Sequence, residues 1–183
     1  MRPIRIRDEF QTTAQRIWDI FFDPEFVRQL AARLRLQREI YEFEDTPEQL
    51  RMVYKVVAHR AVPDWIRRVM GDVKVTFVAT DVYDKKTHRL SAQTRDVAYP
   101  KKIYANGNWT VTEIRPGWVS REFYGELTVD VPLIGGKIAE KVGAGLESDF
   151  AMMHVLLREW IQRDLTALAA GQPLPALNPP SPE

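Results

Sequence analysis

The hydrophobic pattern of this chain changes period once, and that change constrains the fold more than any other feature. From about residue 34 to 131, apolar residues alternate with polar ones in short runs, whereas from about 137 to 170 they recur at every third or fourth position. Alternation is typical of strands with one covered face, and the longer period is typical of an amphipathic helix. The order predicts an α+β domain in which a curved antiparallel sheet packs around one long C-terminal helix.

Seven strands and two short helices precede that long helix in our prediction. Ile4 and Phe10 share a parity with Asp8, which indicates a half-buried first strand. Turn-forming residues separate the later strands, for example at Asn106 and Gly107, so we expect a strand to begin at 107. The predicted strands cover 3–10, 36–44, 49–59, 73–83, 87–96, 107–115 and 118–130, and the predicted helices cover 13–22 and 24–33.

The predicted long helix has a broad apolar face. Its apolar residues fall within an arc of about 140°, which is wider than a coiled-coil seam and suits a helix lying in a concave sheet. We interpret residues 1–171 as one domain and predict that 172–183, with five prolines, is a disordered tail. The residues of the apolar face are Ile138, Val142, Leu146, Phe150, Met153, Leu156, Leu157, Trp160 and Ile161.

Composition excludes several kinds of function. The chain has no Cys, which removes disulfides, thiolate metal sites and a Cys nucleophile. Its 26 Lys and Arg nearly balance its 25 Asp and Glu, so no field of one sign favours a nucleic acid partner. We expect neither a metal nor a cofactor, because His59, His88 and His154 lack the spacing of metal ligands. Without a secretory signal or an apolar run of about 20 residues, the chain is expected to be cytoplasmic.

Three local phrases, together with the order of elements, resemble a known superfamily. They are IWDIFFDP at 17–24, PDWIRR at 63–68 and PLIGGKI at 132–138, the last leading into the long helix. The chain resembles the START-like superfamily, also called helix-grip or SRPBCC, over roughly residues 3–168. The last phrase is similar to a branch whose members mostly lack an assigned function. The resemblance implies a cavity between sheet and helix that holds a hydrophobic ligand, either lipid-like or polycyclic.

Charged residues on apolar faces are the candidate polar contacts of such a cavity. Asp149 falls inside the apolar arc of the long helix, Arg121 shares the parity of apolar residues in the last strand, and Glu113 shares that of its own strand. An ionised group in a dry core costs several kcal/mol unless it is paired or wet. We hypothesise that these three form a polar island that orients the ligand. The alternative interpretations are a buried ion pair or an edge position that reaches solvent.

Further ligand contacts are expected from the apolar faces of the sheet and the long helix. On the sheet we expect Tyr54 and Trp109 to face the cavity, because each alternates with outward polar residues. On the helix, the middle of the apolar arc should contribute the remaining contacts. These are Val142, Leu146, Phe150 and Met153.

A short helix at 63–70 interrupts the strands and is predicted to be a lid over the cavity. Trp65, Ile66, Val69 and Met70 have helical spacing, and Arg67 and Arg68 stand among them. Apolar bulk flanked by cations is the pattern of an interfacial anchor, so Trp65 could contact ligand and the lid could touch a membrane transiently. The simpler interpretation is that the same apolar residues pack on their own domain.

Three functions remain open at this point. The leading hypothesis is a carrier or sensor that binds a hydrophobic small molecule, since no catalytic motif is present. A cyclase or hydratase-like enzyme is the alternative, with Tyr54, Asp149 and Glu113 as proton handlers. Two acid–base groups within hydrogen-bond distance would favour it. A protein-interaction module, using outward aromatics such as Trp118 and Tyr124, is the third.

Overall fold

A computed structural model describes residues 1–59, 62–71 and 74–182, without the side chains of Val69 and Met70. Val73, which we predicted to begin a strand, and the side chains of Val69 and Met70 in the predicted lid lie outside the described part. The elements are β1 (Arg2–Phe10), α1 (Ala14–Phe22), α2 (Pro24–Leu34), β2 (Leu36–Asp45), β3 (Gln49–Ala58), α3 (Asp64–Met70), β4 (Val75–Asp84), β5 (Arg89–Asp96), β6 (Ile103–Arg115), β7 (Trp118–Val129) and α4 (Gly135–Ala169).

The seven strands form one antiparallel sheet in the order β1-β7-β6-β5-β4-β3-β2. All neighbours are consecutive in sequence except β1 and β7, which pair with Ile4 opposite Gly125 and Phe10 opposite Val119. The sheet therefore runs as a meander whose last strand returns beside the first. Together with the long C-terminal helix this confirms the predicted α+β helix-grip architecture.

Asp23 and Pro24 fix the corner between the first two helices. The Asp23 carboxylate caps α2 by accepting hydrogen bonds from the backbone N–H groups of Glu25, at 2.8 Å, and Phe26, at 3.3 Å. Pro24 occupies the first turn, where its missing N–H is not needed and its fixed φ suits the helix. The corner directs Phe26 against Trp160 of α4, with their rings edge to face at 5.6 Å.

The long helix α4 packs unevenly along its length. Its last apolar residues, from Leu156 to Ile161, are buried against the sheet and the first two helices. Its middle residues Leu146, Phe150 and Met153 are only half-buried, although they belong to the same apolar face. A gap therefore separates the middle of α4 from the concave face of the sheet. Although α4 has 35 residues, neither it nor another helix within 1–59, 62–71 and 74–182 is long and apolar enough to span a membrane.

The start of β6 differs from the prediction. Asn106 and Gly107, which the sequence suggests as a turn, lie inside a strand that begins at Ile103. Gly107 stands directly opposite Gly125 of β7, and the ring of Phe123 lies over both glycines. A Cβ at either position would come less than 3.0 Å from that ring. The two glycines thus serve close packing within the sheet rather than a turn.

The C-terminal tail contacts the domain in this structure, and the disorder of 172–183 stays a prediction. Residues 172–182 have no helix or strand, yet they return along the surface of α1 and α2. The backbone N–H of Asn178 donates to the free oxygen of the Asp23 carboxylate at 2.7 Å, and Leu177 packs against the core. Arg16, which forms a bidentate pair with Asp164, also donates to the carbonyl oxygen of Pro175.

Candidate functional site

A cavity of about 250 Å³ occupies the gap between α4 and the sheet. Every strand contributes to its wall, as do α1, α2, α4 and two tail residues, Pro180 and Ser181. Most of the lining is aliphatic or aromatic. Such a concave, mainly apolar space with few polar groups is the usual form of a small-molecule site.

An aromatic cluster forms one wall of the cavity. Trp109 of β6, Phe123 of β7 and Phe150 of α4 all line the space, with ring centroids 4.8–5.1 Å apart. The inward parity of β6 and β7 places the first two rings on the concave face, and the α4 ring meets them from above. Trp109, Phe150, Leu146 and Met153 therefore lie at the cavity, where the sequence predicted them.

Three polar side chains meet on the wall made by β2, β3 and β4, and we call Arg38, Tyr54 and Asp81 the polar corner. The Tyr54 hydroxyl donates a hydrogen bond to Asp81 Oδ2 at 2.7 Å. The Arg38 guanidinium lies over the Tyr54 ring, 3.7 Å from its centroid. All three line the cavity.

The strand register brings the polar corner together. Tyr54 pairs with Ala79 and Met52 pairs with Asp81, so Tyr54 and Asp81 are diagonal neighbours on one face. Arg38 is diagonal to Tyr54 in the same way, since its own partner on β3 is Val56. Our sequence interpretation included Tyr54 but missed the other two.

Burial governs the protonation of the polar corner. It raises the pKa of Asp81 above its ordinary value of 3.8, while the hydrogen bond from Tyr54 and the charge of Arg38 oppose the shift. Burial, followed by the negative charge of Asp81, also raises the pKa of Tyr54. Both groups therefore hold their protons more tightly than they would in water.

Replacement of Asp81 by Asn is expected to stabilise the protein at neutral pH by about 0.5–2 kcal/mol. Because the folded pKa of Asp81 exceeds 3.8, the wild type loses stability as the pH rises from that value through the folded pKa. Asn does not ionise and escapes this loss. Urea unfolding at a series of pH values should show a small difference in the free energy of unfolding between Asp81→Asn and the wild type in acid, and a larger difference at neutral pH.

Asp84, at the exposed end of the same strand, provides the matched control. Hydrogen bonds from Thr87 lower its pKa, so Asp84→Asn should destabilise at neutral pH and thus change stability in the opposite direction. An Asp81→Asn variant less stable than the wild type at neutral pH would contradict the assigned environment of Asp81.

Arg121 points inward, as its parity predicted, but it does not line the cavity. Its Nη2 atom lies 2.5 Å from Asp8 Oδ2, and its guanidinium lies over the Trp109 ring at 4.5 Å. His154 Nδ1 lies 2.9 Å from the other Asp8 oxygen, in an orientation that does not form a hydrogen bond. Burial lowers the pKa of Arg121 and of His154, against the charge of Asp8. Arg121 thus matches the alternative interpretation of a buried ion pair.

The predicted polar island is not present. Asp149 is half-buried and lines the cavity from α4, but Arg121 is enclosed with Asp8. The predicted inward position of Glu113 is wrong, because it is exposed near the end of β6, beyond the last residue of that strand that pairs with β5, Thr110. Val142 packs against the core and does not line the cavity.

The described side chains of the predicted lid lie away from this cavity. No α3 residue with a described side chain lines the space. Ile66 is the inward residue of α3, with 7% exposure, whereas Trp65 is 37% exposed. Trp65 therefore does not line the described cavity, and its ligand contact stays a prediction. A membrane contact of residues 63–70 stays a prediction.

The outward aromatics do not form a joint patch. The Trp118 ring lies under the guanidinium of Arg115 at 4.3 Å, and the Tyr124 ring lies near that of Arg5 at 5.1 Å. Each ring thus has a cation beside it, although Tyr124 remains 52% exposed. This arrangement gives no support to the hypothesis of a protein-interaction module.

Comparison with known proteins agrees with the fold. A family model described as "Protein of unknown function (DUF2505)" matches residues 5–161. No curated protein matches the sequence.

Several solved structures are similar. The Zhui aromatase/cyclase from Streptomyces sp. R1128 has a TM-score of 0.66 and 13% identity, over 94% of this chain and 99% of that one. Norcoclaurine synthase from Thalictrum flavum has a TM-score of 0.58 and 13% identity, over 88% and 86%. A START superfamily protein from Mycobacterium smegmatis has a TM-score of 0.50 and 14% identity, over 86% and 97%. These likenesses confirm the START-like fold.

Proposed function

Because the chain belongs to the DUF2505 family, whose description assigns no activity, we propose a function from the cavity itself. The protein binds a hydrophobic small molecule, lipid-like or polycyclic, as a carrier or sensor. The observation that carries this proposal is the 250 Å³ apolar cavity to which every strand contributes. A packed core without a ligand role closes such gaps, because voids larger than a water molecule are few and destabilising.

The size and lining of the cavity favour a compact ligand. Its volume of about 250 Å³ lies just below the ~300–1,000 Å³ of common ligand pockets. The aromatic cluster of Trp109, Phe123 and Phe150 offers ring faces and edges for stacking against an aromatic or polycyclic body. Two of the similar structures, an aromatase/cyclase and norcoclaurine synthase, carry the names of enzymes, so the fold alone does not decide between binding and catalysis.

Binding is tested directly with the full chain. Native mass spectrometry of the purified protein should show an added mass from a co-purified molecule, which would name the ligand class. The neutral fluorophore N-phenyl-1-naphthylamine should bind saturably at one site, with increased emission because it leaves water. Absence of saturable binding of this probe and of any co-purified molecule would refute the proposal.

The polar corner favours a second candidate, an acid–base enzyme acting on the bound molecule. Tyr54 and Asp81 meet the criterion of two proton-handling groups within hydrogen-bond distance, at 2.7 Å. In this version Asp81 replaces Glu113, which lies in solvent. An enzyme would convert a bound ligand, and Tyr54→Phe would slow conversion while leaving ligand affinity nearly unchanged. A carrier would return every ligand chemically intact.

A further inference from the structure

Arg38 stands apart from the other arginines in how its charge is satisfied. Its side chain is half-buried on β2 and lines the cavity. One face lies on the Tyr54 ring, and Nη2 lies 3.8 Å from the Met52 sulfur. Its Nε atom is buried and has no hydrogen-bond partner among the described residues.

Elsewhere the fold pairs such arginines with carboxylates. Among the described arginines that are buried or half-buried, those other than Arg38 each form an ion pair, and Arg38 forms none with the described residues. The paired arginines, with their partners, are Arg2 with Glu147, Arg16 with Asp164, Arg51 with Glu42 and Arg121 with Asp8.

The nearby Asp81 does not replace the missing partner. Its Oδ2 atom accepts the hydrogen bond from Tyr54, and it makes no ion pair with Arg38. Burial also raises the pKa of Asp81, which favours its uncharged form. A guanidinium in an apolar wall is costly without an anion, because burial removes the water that would solvate it.

A carboxylate entering the cavity would satisfy this guanidinium. Arginine presents N–H donors in a planar fork that matches the two oxygens of a carboxylate. Arg38 is the only cation among the described lining residues, while Asp149 and Glu126 line the cavity from α4 and β7 and would repel an anion. The acidic end of a ligand therefore has one favourable position, with the apolar body directed toward the aromatic cluster.

We infer that the ligand is a hydrophobic acid whose carboxylate pairs with Arg38. This inference rests on the proposed binding function and narrows it to a class of molecule. It also gives the polar corner a role in selecting the ligand. The ring face of Tyr54 positions the Arg38 guanidinium, and Asp81 positions Tyr54 by accepting the hydrogen bond from its hydroxyl.

The test compares two probes of equal shape on the wild-type protein, 1-naphthoate and 1-naphthalenemethanol, by calorimetry. Because a hydrogen bond to a charged group in a dry site is stronger than a neutral one, the acid should bind at least ~10-fold more tightly than the alcohol. Equal affinities would overturn the inference and leave the binding function standing. If neither probe nor N-phenyl-1-naphthylamine binds, the proposed function itself fails.

Two variants test whether Arg38 causes the preference for the acid over the alcohol. Arg38→Met keeps most of the bulk and removes the charge, so the preference should fall to about 2-fold or less while the affinity for the alcohol stays the same. Arg51→Met on the neighbouring strand removes an outward arginine paired with Glu42 and should leave the preference intact. If Arg38→Met lost affinity for the acid and the alcohol to the same extent, the role of Arg38 would be structural and the inference would be overturned. Should Arg38→Met fail to fold, as judged by circular dichroism, the wild-type comparison still decides.

Discussion

Replacement of Asp8 by Asn is expected to lower the free energy of unfolding by about 3–5 kcal/mol. The variant removes the carboxylate that neutralises Arg121, whose side chain is 2% exposed, and so leaves a buried charge without a counter-ion. Arginine cannot escape by losing its proton at neutral pH. Urea unfolding followed by circular dichroism measures the change. A loss below about 1 kcal/mol would contradict the structure of this pair.

Two further variants distinguish the effect of an unpaired buried charge from other effects of the substitution on stability. The double variant Asp8→Leu with Arg121→Met replaces the pair by apolar bulk and should recover most of the loss, because only the uncompensated charge is costly. Glu9→Gln, on the exposed face of the same strand, removes an exposed ion pair with Arg7 and should change stability by less than about 1 kcal/mol.

Filling the cavity from Ala92 is expected to abolish probe binding. Ala92 lines the cavity from β5, and a Trp at this position would occupy much of the 250 Å³ without removing an existing contact. We expect a loss of affinity for N-phenyl-1-naphthylamine of at least ~100-fold. Because the added ring enters empty space, overpacking should cost no more than about 1–3 kcal/mol.

The same substitution at an exposed position controls for the added indole. Ala151 lies on the exposed face of α4, so Ala151→Trp should bind the probe with wild-type affinity. Fluorescence titration of both variants measures the difference. If a folded Ala92→Trp protein binds as tightly as Ala151→Trp, the probe sits outside the cavity and the proposed location of the ligand is wrong.

Local periodicity was sufficient to predict the order of elements, because the covered face of each strand and helix is visible in the pattern of its own residues. Local periodicity failed where the local structure depends on contacts between two segments that are distant in sequence. Asn106 and Gly107 look like a turn, yet the opposing Gly125 makes a continuous strand the better packing. Glu113 alternates correctly, but alternation within β6 does not tell where its pairing with β5 ends.

The candidate site was only partly predictable for the same reason. Asp81 shares the parity of Ala79 and Tyr83, so the rule that selected Arg121 could also have selected it. Arg38 shares the parity of Leu36 in the same way. Their meeting at Tyr54 depends on the register of three strands, which no single strand specifies.

The partner of Arg121 was likewise hidden from local reasoning. Asp8 shows its inward parity within β1, but its position opposite Arg121 depends on the pairing of the first strand of the chain with the last. That contact spans more than one hundred residues, with a sequence separation of 113. Only the return of the last strand beside the first brings the two inward charges together.

The Gly107–Gly125 pair has a consequence for how relatives of this protein could diverge. Because a Cβ at Gly107 would collide with Phe123, a substitution there must push that ring away from the sheet and toward the cavity, whereas a Cβ at Gly125 would also meet the backbone oxygen of Asn106 at 2.6 Å. Cavity capacity can therefore be altered in one mutational step, in a continuous strand, while the polar corner on β2, β3 and β4 is left untouched. Ligand size is thus determined by β6 and β7, whereas the chemical group of the ligand is recognised by β2, β3 and β4. Mutations can change either property without changing the other.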